Sequence, residues 1–211
     1  MRFLCSASLT VVALLLGGCA TLPPVNDTAG HPTVYIAPDS SGPVKGLGME
    51  SQDVISMADR MARDLLAQPT IAGRAVAPRI IVDSAYFRNE GSTRINKNLI
   101  TDRLRVDLNR AASGRMIFVG REDVDAVEAE RALKARGVTD GGTLRPTTGT
   151  AGVDYRLTGR IATTDALDPK TGESQRWTQI TFELLDLESG TVAWSNLYEF
   201  AKAAQDDIIY R

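Results

Sequence analysis

Few residues in this chain have the types and spacing to do chemistry. The sequence holds a single histidine, His31, and two cysteines, Cys5 and Cys19, all within its first 31 residues. No Ser-His or Cys-His nucleophile pair can therefore form in the rest of the chain. Asp165 and Asp168 lie close together but lack the alternating oxygen ligands and distal glutamate of a calcium loop. Asp168-Pro169-Lys170-Thr171-Gly172 is ordinary turn chemistry instead. Gly46-Leu47-Gly48 precedes a helix pattern, but no strand comes before it and no third glycine follows, so it fails as a nucleotide fingerprint. Nothing marks out a carboxylate pair for sugar hydrolysis. The expectation is a protein that is not an enzyme, with no catalytic residues, no metal ligands and no cofactor.

A chain without such groups is read as a binding module. The candidate surface is the solvent side of the C-terminal strands, where the alternation places Arg156, Arg160, Trp177, Thr181 and Glu183 together. An exposed tryptophan among arginines is a common interface anchor. The bland alternative has Trp177 packed beneath a helix or under the Gly137–Gly152 loop, as large aromatics usually are.

One short stretch carries a covalent reading. Arg2, an apolar run from Leu9 to Leu16, then Gly17-Gly18-Cys19 have the order of a secretion signal. The run is too short to span a bilayer comfortably. Leu16-Gly17-Gly18-Cys19 resembles the lipobox of bacterial lipoproteins, which implies cleavage before Cys19, diacylglycerol on its sulfur and acylation of its freed amine. Ala20 stands where an aspartate would resemble the inner-membrane retention signal, so the expected address is the periplasmic face of the outer membrane. Each buried acyl methylene contributes roughly 0.8 kcal/mol, so several chains on one cysteine make a durable anchor.

The elements that would position the binding residues follow from periodicity. Residues 1–18 read as signal peptide and residues 19–45 as the lipidated terminus and a tether with prolines at 23, 24, 32, 38 and 43. Residues 46–211 read as one globular domain. The tether would reach at most about 90 Å fully stretched and about 30 Å as a flexible coil. A helix is predicted from Ser51 to before Pro69, with Val54, Ala58, Met61 and Leu65 on one stripe and Ile55, Ala62 and Leu66 widening it. Arg79–Phe87 reads as a strand whose Ile80-Ile81-Val82 run suits cover on both faces. A second helix is predicted over Asn96–Ala112, buried through Ile100, Leu104, Leu108 and Ala111 and ended by Gly114. Asp107 lies at helical spacing from Arg103 and Arg110 and reads as an intrahelical ion-pair member.

Arg115–Val119 is then a short strand, Glu122–Arg136 a weakly amphipathic helix, and Gly137–Gly152 a loop rich in Thr and Gly. From Val153 the period changes to two, with strands over Val153–Ile161, over Gln175–Leu187 and over Thr191–Phe200, the first two joined by a turn within Asp165–Glu173. The fold class is α/β in the α+β sense, a mixed sheet of about five strands ending in an antiparallel meander and flanked by helices.

Composition agrees with this reading. The 211 residues contain 24 Lys and Arg against 26 Asp and Glu; without residues 1–18, 193 remain and the charge is −3. Near-neutral charge argues against nucleic acid as a partner. With Cys5 removed and Cys19 lipidated no disulfide can form, so stability rests on packing.

Several segments together resemble one family. A lipobox is followed by a helix ending in Arg63-Asp64-Leu65-Leu66 and the strand Ile80-Ile81-Val82-Asp83-Ser84. Then come Arg94-Ile95-Asn96-Lys97-Asn98-Leu99-Ile100-Thr101-Asp102-Arg103-Leu104-Arg105, Gly114-Arg115-Met116-Ile117-Phe118-Val119, Val153 to Ile161 and Val192-Ala193-Trp194-Ser195. This order resembles the LpoB family, outer-membrane lipoproteins that activate class A penicillin-binding proteins. The resemblance implies a fold similar to the N-terminal domain of TolB. It also implies docking on a non-catalytic domain of a bifunctional peptidoglycan synthase, and a monomer is the expected state. A structural or secretion-assembly lipoprotein with a related core is the alternative.

Overall fold

The computed structural model describes residues 33–40, 42, 46–142 and 149–205. Cys19, the predicted signal peptide and most of the predicted tether lie outside the described residues. The chain divides into two units, Met1–Tyr35 and Ile36–Arg211, and among the described residues the helices and strands lie in the second.

Helix α1 (Ser51–Leu66) begins with a reciprocal cap. The Glu50 side chain accepts from the backbone of Asp53, while the Asp53 carboxylate accepts the Glu50 N–H at 2.8 Å. Lys202 seals this end, its Nζ lying 2.7 Å from Asp53, 3.4 Å from Glu50 and 2.9 Å from the Gly48 carbonyl. The buried stripe is Met57, Ala58, Met61, Ala62 and Leu65, so Met57 takes a place that periodicity gave to Ile55. Pro69 both forbids continuation and starts a further turn of helix, α2 (Pro69–Ala72), which the sequence reading passed over.

Strand β1 (Arg79–Asn89) buries Ile80, Ile81 and Val82 in succession, as expected of a strand covered on both sides. Helix α3 (Lys97–Ala112) is capped by the Asn96 side chain, which accepts the Asn98 N–H at 3.1 Å. It buries Ile100, Thr101, Leu104, Leu108 and Ala112, so Ala112 takes the place that periodicity gave to the exposed Ala111. Its C-terminus turns left-handed at Ser113 (φ 48°) as well as at Gly114 (φ 83°). Arg115 reaches back to the carbonyls of Ala111 and Ala112 and to that of Leu66 at the end of α1, a cation serving two helix C-termini. Arg103 and Asp107 pair at 2.8 Å along α3, as expected.

Strand β2 (Ile117–Phe118) is shorter than predicted, and α4 (Val124–Ala135) buries none of its residues. Three long strands complete the sheet: β3 (Tyr155–Leu167), β4 (Glu173–Asp186) and β5 (Val192–Gln205). The last begins near Thr191 but runs five residues past Phe200.

The sheet has five strands in the order β2-β1-β3-β4-β5. β1 is parallel to β2 and β3, whereas β3, β4 and β5 are antiparallel. This is the mixed sheet, closing in a meander, that the sequence pattern called for. Helices α1 and α3 pack together and cover one face, meeting Ile80, Val82, Phe87, Tyr155, Leu157, Ile161, Ile180, Phe182 and Leu184 in one core. Phe87 and Phe182 meet edge to face at 6.0 Å. Between them in the sheet lies Gly159, where a Cβ would come within 2.3 Å of the Phe87 ring. Trp194 joins this core and donates its indole N–H to Asp64 of α1 at 2.7 Å.

Candidate functional site

The opposite face of the sheet is lined by alternate residues of the same strands. Because Tyr155, Leu157 and Ile161 point to the core, Arg156, Thr158 and Arg160 must point away. The antiparallel register sets Thr158 against Glu183, Arg160 against Thr181 and Arg156 against Leu185. Four of the five residues expected to share a surface, Arg156, Arg160, Thr181 and Glu183, do line one cleft of about 430 Å³.

The fifth does not. Trp177 lies on the same face, paired with Thr164 on one side and Ala201 on the other, but four residues farther along β4 than Thr181. At about 3.3 Å per residue that is roughly 13 Å from the cleft. Its side chain is 37% exposed and absent from the helix-covered core, and its register partners on either side are the small residues Thr164 and Ala201.

Two residues that sequence reasoning missed complete the cleft, Tyr86 and Arg88. They come from an irregularity in β1. Val82 pairs with Leu157 and Phe87 with Gly159, so four residues, Asp83 to Tyr86, stand opposite the single residue Thr158. Asp83 accepts the Ala85 N–H at 2.8 Å and stabilises the arch. The arch turns the Tyr86 ring toward β3, where the Arg156 guanidinium sits 4.1 Å from its centroid, a cation–π contact. The same shift puts Arg88 in direct register with Arg160. The polar pair Asp83-Ser84, interrupting an apolar strand before Phe87, is the sequence signal from which the arch was legible.

The electrostatics of the cleft are unusual for a surface built only for stability. Like charges directly across a sheet are destabilising, yet Arg88 and Arg160 adjoin, and among the described residues neither has a hydrogen-bond or ion-pair partner. The Nε of Arg156 is shielded from solvent without any hydrogen-bond partner. Glu183 lies diagonal to both β3 arginines and pairs with neither. The arrangement holds out three guanidinium groups and one carboxylate, none of them paired with an opposite charge among the described residues. One carboxylate is too few for the paired acids of glycoside hydrolysis.

The carboxyls with displaced titration lie elsewhere, and all shift downward. Hydrogen bonds from Arg176 and then Ser92 lower Asp165; backbone donors in the turns lower Asp168 (from Lys170) and Asp186 (from Ser189, then Glu188). A general acid needs the opposite shift. Among the described residues no group of three or more His, Cys, Asp or Glu side chains is placed to hold a metal ion. No helix of the described residues is long and apolar enough to cross a membrane.

Fold and cleft together define a class, an α+β domain with one sheet face under helices and the other presenting separated charges to solvent. The chain belongs to the LpoB family: the family model described as peptidoglycan-synthase activator LpoB matches residues 53–200. Among solved structures it is similar to the LpoB C-terminal domain from Escherichia coli, at 15% identity, 70% of this chain, 98% of that chain and a TM-score of 0.42. The corresponding domain from Salmonella enterica gives 18%, 71%, 96% and 0.37. Lipoprotein GNA1162 from Neisseria meningitidis gives 15%, 61%, 84% and 0.31. No curated protein sequence matches significantly.

Proposed function

We propose that this chain is an outer-membrane lipoprotein that binds a class A penicillin-binding protein and raises its synthetic rate by contact alone. The observation that carries this reading is the match to the peptidoglycan-synthase activator family over residues 53–200, nearly the whole sheet domain. Anchored through lipid on Cys19, the domain stands off the membrane on residues 19–45 and acts as a monomer. It meets the synthase through the uncovered sheet face, where Arg156, Arg160, Thr181 and Glu183 gather and Trp177 lies beyond them. The helix-covered face is committed to the core and has little left to offer a partner.

Activation of this kind is a coupling free energy: the activator binds the synthase's active conformation more tightly than its resting one. A preference of roughly 1.4 kcal/mol shifts the population ratio tenfold. The test is reconstitution of the purified lipoprotein with class A synthases, following glycan polymerisation and cross-linking. A rise in rate on addition of the lipoprotein is expected. Unchanged rates and no complex with any class A synthase would refute the proposal. Separately, Cys19→Ala should leave a folded chain that is released from the membrane fraction; a variant still membrane-bound would refute the anchor.

A further inference from the structure

We propose that the cleft between the β1 arch and strand β3 receives an acidic segment of the partner protein, with carboxylates on Arg88, Arg160 and Arg156. This rests on the docking reading above and names the chemistry of the contact. A guanidinium matches a carboxylate by two parallel N–H···O bonds, and the cleft offers three with no anion spent on them.

The placement of each arginine argues for a carboxylate arriving from outside. Arg88 and Arg160 are register partners on neighbouring strands, so a carboxylate above them would lie between two positive charges and relieve their mutual repulsion. Arg156 is held on the Tyr86 ring, which fixes its guanidinium before a ligand arrives and limits the ordering cost of binding. Its unpartnered Nε leaves a donor unsatisfied in the free domain. The Glu183 carboxylate in the same cleft disfavours a polyphosphate, which would carry its charge against it. A peptide surface avoids that conflict by setting a basic or hydroxyl side chain opposite Glu183. The Thr158 hydroxyl is turned to the Glu183 carbonyl at 3.4 Å and leaves that carboxylate unengaged.

The experiment measures the affinity of the full lipoprotein, in detergent, for a class A synthase across a range of salt concentrations. Arg88→Ala and Arg160→Ala are each expected to weaken binding roughly tenfold and to flatten its salt dependence. Arg88→Lys, which keeps the charge but loses the two-bond geometry, should fall between. Thermal unfolding of each variant should match the parent, separating lost contact from lost fold. A synthase that binds all these variants as tightly as the parent, with the same salt slope, would overturn the cleft assignment and leave the docking reading standing. No binding by the parent itself would overturn both. Inorganic pyrophosphate serves as a second probe of the free chain. Saturable binding lost in Arg88→Ala, with synthase affinity unaltered, would assign the cleft to a phosphate ligand and overturn the proposal.

Discussion

The two faces of this sheet are made from the same strands and follow opposite rules. On the covered face β3 from Tyr155 to Ile161 and β4 from Thr178 to Leu184 bury every second residue, and the fit is tight enough that Gly159 is required under the Phe87 ring. On the other face arginines adjoin, a carboxylate stays unpaired and a tryptophan remains 37% exposed. The covered face lowers the energy of the folded chain at each position. The uncovered face gives some of that up, and a surface that tolerates such a loss is shaped for something outside the molecule. Stability and binding should therefore separate by face, residue for residue along one strand.

The strongest way to break this comparison is to alter both faces of one strand. Gly159→Val should abolish or severely impair folding, since its first added carbon already comes within 2.3 Å of the Phe87 ring. Phe182→Ala should cost about 3–5 kcal/mol in denaturant unfolding, the usual range for deleting a buried phenyl ring. Arg160→Ala, next to Gly159 in sequence and on the other face, should change stability by less than about 0.5 kcal/mol while weakening synthase capture. Equal losses from Phe182→Ala and Arg160→Ala would mean that the uncovered face is structural after all.

The tryptophans sharpen the same point. Trp194 is buried and bonded to Asp64 of α1, so Trp194→Phe leaves a carboxylate without its donor and should cost about 1–3 kcal/mol. Trp177→Ala should reduce partner capture and leave the unfolding midpoint near that of the parent, because the residue is 37% exposed and outside the helix-covered core. A large drop in midpoint for Trp177→Ala would place that residue in the fold's own packing.

What the sequence made legible divides along the same line. Alternation located the covered face of β3 and β4, because burial acts on every second residue and leaves a period that can be read. The same alternation named Arg156, Arg160, Thr181 and Glu183 as neighbours, since positions opposite in register need only correct pairing of two adjacent strands. It failed for Tyr86 and Arg88. Their place depends on four residues of β1 arching over one residue of β3, and an arch resets the count of two without leaving a period of its own. It also overstated the company of Trp177, for alternation gives the face of a residue but not its distance along the strand. Met57 and the α2 turn were missed because tertiary packing, rather than local preference, decided which side of the helix was covered. Neither Cys19 nor the stretch 143–148 of the Gly137–Gly152 loop lies within the described residues.

The smallest effect concerns the far end of the hairpin, where the core no longer reaches. Asp165 and Arg176 are register partners there, joined by two bonds of 2.6 and 2.9 Å, and Ser92 adds a third to Asp165 at 2.8 Å. These contacts, that with Arg176 foremost, hold the Asp165 carboxyl below the ordinary aspartate range. The native form thus binds a proton less readily than the unfolded chain does. The stabilisation is complete above the ordinary carboxylate range and declines as pH falls through the lowered folded value. The group is solvent-exposed, so the effect should be small and weakened further by salt. The protection factors of the amides of residues 162–178, which remove the intrinsic slowing of exchange at low pH, should fall in acid for the parent. In Asp165→Asn the same amides should exchange faster at neutral pH and show a flatter acid response. An identical acid response in parent and variant would remove the ion pair as the brace of this arm. The position of Trp177 would then depend on backbone pairing alone.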